Sequence, residues 1–379
     1  MANTLTNLTP DLYQAMDVVS RELVGFIPSV TLDSGIERAA VGQTVRSFVA
    51  PTSTASDITP AVTAPNDGDQ VIGNQNMTIS KSRGVPFRWN GEEQRGVNSG
   101  AGYNQIKVNQ IAQAMRTLTN EMESDLASLY STASRAYGTA GTTPFASDLS
   151  DTANIRKILA DNGAPLTDMQ LVMDTSAGAK VRTLGQLTKA NEGGDTSLLR
   201  QGELLDIHGV SLRESAQVGT ITNGTGTSYT SNTDGYAIGA TAITLITGSG
   251  TVLAGDVVTF AGDTNKYVVA TGVAAPGAIT LAAPGLKQAI PTSATALTVG
   301  GDFAANFAFS KSAIVLATRA PARPEEGDMA DDVMMVTDPR SGLSFEISLY
   351  KQYRQVRYEV AAAWGFKNFK PEHSAILLG

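Results

Sequence analysis

Chemistry needs nucleophiles, titratable groups or metal ligands at workable spacing, and this chain offers few. It contains no cysteine, which removes thiolate nucleophiles, disulfides and cysteine-bound zinc together. Histidine occurs twice, at His208 and His373, 165 positions apart. A Ser-His-Asp triad or a histidine metal site would have to rest on one of them. His208 stands beside Gly209 and reads as a structural group at a turn. His373, six residues from the end, reads as exposed. Asn66-Asp67-Gly68-Asp69 has part of the look of a calcium loop. It lacks the regular alternation of ligands and the closing bidentate Glu, so it reads as a plain turn. Gly248-Ser249-Gly250 is not followed by the third glycine of a dinucleotide loop and opens no helix, and it reads as a hairpin turn. No P-loop, HExxH or GxSxG occurs. Asp and Glu number 36, enough for a carboxylate-pair hydrolase such as a glycosidase, but nothing in the sequence selects a pair. Neither catalytic nor metal-binding residues are assigned, and no cofactor is expected.

One cluster does stand out. Arg83, Arg88, Glu92, Glu93 and Arg95 surround Trp89 within a short stretch of mixed charge. It is either a solvated face, where exposed ion pairs contribute ~0–1 kcal/mol each, or a set of complementary contacts between subunits. The chain as a whole is acidic, with 28 Lys and Arg against 36 Asp and Glu and a net charge of −8, so it lacks the basic character of a nucleic-acid binder. Charged residues make up only 17% of it, below the usual ~25%, as expected where much of the surface is uncharged or covered by partners. Residues 1–10 have no basic end and no apolar segment, so no secretory leader is expected. No run of 18 apolar residues is present, and no membrane span is expected.

The elements that must position these residues follow from periodicity and punctuation. Thr9 as N-cap, Pro10 at the first position and Leu12, Met16, Val19 and Leu23 on one face predict a terminal amphipathic helix ending near Gly25 and Pro28. Its apolar stripe, with Leu12 and Met16, needs a partner surface. Residues 45–97 read as an extended β arm, from the alternation of Val45, Ser47 and Val49 and of Val85, Phe87 and Trp89, with a shorter piece at Met77 and Ile79. Between them, residues 51–76 hold too few large apolar groups to bury themselves, which suits a projecting hairpin lying on a neighbour.

Residues 103–137 contain neither Gly nor Pro, and Val108, Ile111, Met115, Leu118, Met122, Leu126, Leu129 and Ala133 recur every three or four positions. They predict one continuous helix of ~50 Å lying across a surface. Its apolar stripe is expected to face the body, with Gln113, Thr119 and Glu123 facing solvent or a neighbouring subunit. A mixed α/β region follows, with a helix capped by Asp151, a buried strand at Leu171, Val172 and Met173, a helix over 177–189, and a strand with a glycine kink through Ile207, Gly209 and Leu212. Residues 219–301 then hold only five charges (Asp234, Asp256, Asp263, Lys266 and Lys287) and several short β-branched runs at spacings near ten residues. This predicts a small barrel or sandwich inserted into a surface loop and able to fold alone. The host resumes with a buried strand at 313–317, a charged loop over 321–332, and strands at 343–349, 353–364 and 375–378.

This order of parts resembles a tailed-bacteriophage major capsid (coat) protein with the Hong Kong phage capsid fold. The segments that carry the resemblance are LLDIHGVSLRES at 204–215, FSKSAIVLATRAP at 309–321 and YEVAAAWGFKNFKPEHSAILLG at 358–379. LAGDVVTFAG at 253–262 is similar to the inserted domain of the short-tailed-phage coat branch. The resemblance implies an α+β fold with an N-terminal arm (1–44), an extended β arm (45–99), a spine helix with the first part of the peripheral and axial domains (100–218), an inserted all-β domain (219–303), and the return of those domains with the C-terminal strands (304–379). It implies a structural protein that self-assembles into pentamers and hexamers of an icosahedral head, in the virion and built in the bacterial cytoplasm. Scaffolding and portal proteins are implied partners, with packaged double-stranded DNA as a neighbour that is not read by sequence. Arg83, Arg88, Trp89, Glu92, Glu93, Arg95, Leu12 and Met16 are the candidate intersubunit contacts. A surface-layer or adhesin-type protein is the alternative that the Gly- and Thr-rich insert favours.

Overall fold

The computed structural model describes residues 24–49, 55, 57, 58, 60, 62, 63, 73–98, 102–188, 204, 206–337 and 342–379. The helix read from Thr9 to Leu23, with Leu12 and Met16, lies outside the described residues, as does most of the stretch at 51–76 with Asn66-Asp67-Gly68-Asp69.

Two large sheets organise the chain. One has six strands, of which Gln355–Asn368 is the longest. Along one side it pairs with Lys81–Asn90. Along the other it pairs first with Ser344–Gln352 and then with Ile314–Pro321. Ala330–Thr337 and Thr31–Ala39 complete the sheet at its margins. Lys81–Asn90 is an edge strand with Pro86 at its middle, a residue that cannot donate to a further strand.

The second sheet has thirteen strands and places Phe303–Ser310 between Ser374–Leu378 and Met169–Met173, all densely buried. The hairpin Thr44–Val49 with Gly73–Thr78 forms a separate two-stranded sheet and is the root of the expected arm. Met77 and Ile79 pack at that root against Ala317 and Ala363. Gly365 permits the crossing: a Cβ there would lie 2.3 Å from the Thr78 carbonyl oxygen.

The spine is shorter than predicted. Its helix runs Tyr103–Ala127, which at 1.5 Å per residue is ~37 Å. A 3-10 segment, Ser128–Thr132, follows, and Arg135–Gly138 is a strand of the large sheet. Freedom from Gly and Pro permits a helix but does not compel one, and residues 135–138 gain a complete ladder by pairing with Ser374–Leu378. The stripe is also shorter: Val108 is 55% exposed, and burial begins at Ala114. Leu118, Met122 and Leu126 enter the main core beside Phe26, Phe307, Phe309 and Trp364.

Several local readings change in the same way. Residues 91–97 form a helix, not arm strand, because Asn90 and Glu93 make a reciprocal capping box. Asp151 does not cap the helix Ser150–Asp161; its carboxylate accepts the Phe145 amide at 2.7 Å. The expected helix over 177–189 is Thr175–Thr183 followed by a break at Leu184, with Asp174 as its cap. The glycine kink is a two-residue turn, His208-Gly209, joining Asp206–Ile207 to Val210–Glu214. His373 is buried, contrary to expectation, in the turn Pro371–His373. Strands that were not read include Thr31–Ala39, Phe303–Ser310 and Ala330–Thr337, the last beginning inside the expected charged loop.

The Gly- and Thr-rich region has a core of its own, including Tyr229, Val258, Phe260, Tyr267, Ile279 and Leu297. It is not closed off from its host. Its strand Lys266–Thr271 pairs with Arg135–Gly138, and Val257, Val268 and Ala282 belong to the main core.

Leu118 is 1% exposed at the centre of that main core. Leu118→Ala is expected to lower monomer stability by ~2–5 kcal/mol, read as a reduced urea midpoint. An unchanged midpoint would show that the stripe is not core.

Candidate intersubunit contact site

The strand Lys81–Asn90 and the helix Gly91–Val97 carry six of the expected contact residues on one continuous segment. The structure sorts them into two groups. Trp89 is 4% exposed and belongs to its own subunit. Its indole Nε1 donates to Gln110 Oε1 at 2.8 Å, and its ring meets Tyr103 edge-on at 5.6 Å. Tyr358 stacks on Phe87 at 5.3 Å and lies hydroxyl to hydroxyl with Tyr103 at 3.3 Å. Lys107 sits over the rings of both tyrosines. This aromatic cluster fastens the arm's base strand to the spine helix, which is a better use of a large ring than solvent exposure. Glu93 is likewise spent locally, in the capping box at Asn90. Trp89 and Glu93 are thus both buried within the chain itself.

Arg83, Glu92 and Arg95 are exposed, and Arg88 is half-buried. Arg83 reaches Glu121 of the spine helix at 3.3 Å with its side chain 60% exposed. Lys81 is held more firmly, between Asp125 at 2.8 Å and Glu121 at 3.1 Å, and Asp125 also accepts the Trp364 indole at 2.8 Å. Burial opposes the charge on Lys81, but hydrogen bonds and charge from Asp125 and Glu121 prevail and hold its pKa above the ordinary lysine value. The strand's cations thus face a row of acids on the spine.

The group that most governs this region was expected at the surface. Glu123 is fully buried. Its carboxylate accepts the amides of Gly25, of Phe26 at 2.7 Å and of Ile27 at 3.0 Å, with a further hydrogen bond from Ser215. It therefore satisfies three main-chain donors where residues 24–30 enter the core. Gly25 makes the approach possible, since a Cβ there would lie 2.5 Å from the Glu214 carbonyl oxygen. Thr119, one turn earlier, is buried too and bonds back to the Met115 carbonyl. The clue in the sequence was position: Glu123 follows Met122 and precedes Leu126 by three, at the margin of the apolar stripe.

Elsewhere the possible chemistry is structural. His208 is exposed at its turn and shares a 2.7 Å hydrogen bond with Thr152. Asp256, inside the insert, accepts the Leu253 amide at 2.7 Å and the Gly224 amide at 3.1 Å. Among the described residues no three His, Asp or Glu side chains converge as a metal site requires, and no helix is long and apolar enough to cross a membrane.

Comparison with known proteins separates fold from sequence. No family model matches the chain, and no curated protein matches it. Solved structures do. The capsid structure of the cyanophage P-SCSP1u is similar over 100% of this chain and 92% of its own, with a TM-score of 0.52 at 12% identity. A structure from Mycobacterium phage Che8 is similar over 99% and 98%, at 14% identity and a TM-score of 0.46. The capsid of a native GTA particle is similar over 100% and 95%, at 10% identity and a TM-score of 0.47. At this level of identity the likeness concerns architecture. The chain has the α+β phage-capsid fold.

Glu123 generates a test with two readings. Burial pushes its carboxyl above the ordinary value, and hydrogen bonds from Phe26, Ser215, Ile27 and Gly25 oppose that push without cancelling it. The folded state therefore keeps the proton to a higher pH than the unfolded chain. The associated stability is fully present below the ordinary carboxylate pKa and is lost as pH rises through the folded value. Glu123→Gln should remove this slope, so wild type loses ground to the variant as pH rises through that window. Glu123→Ala should be clearly destabilising at any pH, because each stranded amide costs ~1–3 kcal/mol. Chemical denaturation across pH checks both, and a neutral Glu123→Ala would contradict the site.

Proposed function

We propose that the chain is the major capsid protein of a tailed phage, a structural protein that assembles with its own copies into a closed head around double-stranded DNA. The observation that carries this reading is the end-to-end likeness to the cyanophage capsid structure, which leaves no part of this chain outside the comparison. The inserted β region at 219–303 aligns the proposal with the short-tailed-phage coat branch, and the five-part division of the chain follows from it.

The mechanism is one of geometry. A head-to-tail contact closes into a ring when its rotation fits, and rings of both five and six from one sequence need peripheral elements that absorb the angular difference. The hairpin Thr44–Val49 with Gly73–Thr78 is such an element, since it forms its own two-stranded sheet and is anchored chiefly at its root. Arg83, Arg88, Glu92 and Arg95, with Leu12 and Met16 of the N-terminal segment, are the proposed contacts to neighbours. Many modest interfaces repeated over a shell give stability without any single tight contact. A net charge of −8 leaves packaged DNA free to depart. Scaffolding and portal proteins complete the proposed partners, and assembly is placed in the bacterial cytoplasm.

Negative-stain microscopy of the purified chain is expected to show closed shells or rings; dispersed monomers, or flat sheets and fibres, would overturn the reading. Arg83→Glu and Arg95→Glu should lower the yield of particles while moving the unfolding midpoint little, because exposed ion pairs contribute only ~0–1 kcal/mol.

A further inference from the structure

The hairpin that joins Ser344–Gln352 to Gln355–Asn368 ends in a two-residue turn. Gln352 pairs with Gln355, leaving Tyr353 and Arg354 at the tip. Short turns of this kind favour Asn-Gly or Asp-Gly, because those residues accept positive φ without strain. The turn at His208-Gly209 meets that rule in part, with Gly209 at φ +75° beside His208 at +54°. The tip at 353–354 carries neither Asn, Asp nor Gly. Arg354 is held at φ +55°, a left-handed conformation costly for a long side chain, and Tyr353 is 88% exposed with the guanidinium stacked over its ring at 5.8 Å. Local folding would be better served by other residues. Tyr and Arg are instead the types that dominate protein–protein hot spots.

Beside this tip lies a matching acceptor. A cleft of about 370 Å³ is lined by Asp328, Met329, Tyr350, Lys351, Gln352, Arg357 and Glu359, the last two paired at 2.6 Å. At ~30 Å³ per water it is far larger than a packing defect. Met329 is 81% exposed at its edge and offers an adaptable apolar contact. The approach is acidic: Glu325, Glu326, Asp328, Asp331 and Asp332 are all exposed, with Arg323 bridging Asp328 at 3.1 Å to the buried Glu346 at 2.7 Å and Lys351 paired with Asp331. Tyr353 of the same chain does not line the cleft.

We propose that the Tyr353–Arg354 tip of one copy docks into the acidic cleft of a second copy. The aromatic ring would lie against Met329 and the guanidinium would face the exposed acidic stretch 325–332. Tip and cleft adjoin on one hairpin, where Gln352 lines the cleft, and the contact passes from copy to copy where it is made head to tail. The proposal rests on the shell-forming reading and adds a specific interface to it.

The absence of cysteine provides a clean test. Tyr353→Cys and Met329→Cys are made separately, mixed under assembly conditions and oxidised, with Ile238→Cys plus Met329→Cys as a control pair, since Ile238 is exposed on the insert. The account expects an interchain disulfide in the first mixture and none in either variant alone or in the control. Shells that form without that cross-link would overturn the docking and leave the shell reading standing. Cross-linked small oligomers without shells would do the reverse, and the absence of both would remove both. Arg354→Gly gives an independent readout. It relieves the left-handed backbone, so the unfolding midpoint should stay level or rise, while the concentration needed for assembly should rise roughly tenfold or more. Unchanged assembly in this variant would contradict the proposal.

Discussion

A carboxylate buried in an apolar core is costly unless its hydrogen bonds are complete, and in this protein Glu123 is that carboxylate. Its bonds to Gly25, Phe26 and Ile27 tie the segment leaving the N-terminal region to the spine helix, and Ser215 brings in the strand region that follows Val210–Glu214. The knot lies beside Phe26, whose ring stacks on Phe309 and approaches Phe307 in the central strand of the large sheet. Segments nearly a hundred residues apart thereby meet at one group, and the spine is held in place by more than its apolar stripe. A hydrophobic residue at 123 could fill the space but would leave three main-chain donors without acceptors.

Because the body is fixed in this way, the remaining elements can serve contacts outside it. The arm hairpin packs at its root through Met77 and Ile79, and the edge strand Lys81–Asn90 is held by the aromatic cluster at Tyr103 and Tyr358. At the far margin of the same sheet, Ala330–Thr337 exposes Met334 and Met335, and the neighbouring hairpin exposes Tyr353. The buried Glu346, 3% exposed, is paired, receiving Arg38 at 2.6 Å and Arg323 at 2.7 Å. A well-packed interior with exposed margins would suit the proposed head-to-tail assembly.

Much of the architecture was legible in the sequence because it follows local rules. Alternation revealed Lys81–Asn90 and Ser344–Gln352, the 3.6-residue stripe revealed the middle of the spine, and the loss of charge marked a β-rich region with its own cluster of buried residues. What escaped depended on distant partners. Arg135–Gly138 has helical neighbours but is drawn into the sheet by Ser374–Leu378. Ala330–Thr337 carries two aspartates at its start and reads as loop until its antiparallel partner is known. Trp89, a contact candidate in the sequence, is enclosed by Gln110 and Tyr103 from the spine helix. Glu123 was hidden for the same reason: its polar type points to the surface, and only residues 25–27, far off in sequence, explain its burial.

The central claim is that the body is preformed around Glu123 and that assembly engages the edges. Amide hydrogen exchange, compared between isolated subunits and assembled particles, tests it most directly. The account predicts that Gly25, Phe26, Ile27 and the strands Phe303–Ser310 and Ser374–Leu378 are equally protected in both forms. Protection should be gained on assembly at Thr44–Val49, Gly73–Thr78 and Lys81–Asn90 and around Tyr353. Rapid exchange at Gly25–Ile27 in the free subunit, with protection only in the particle, would contradict it.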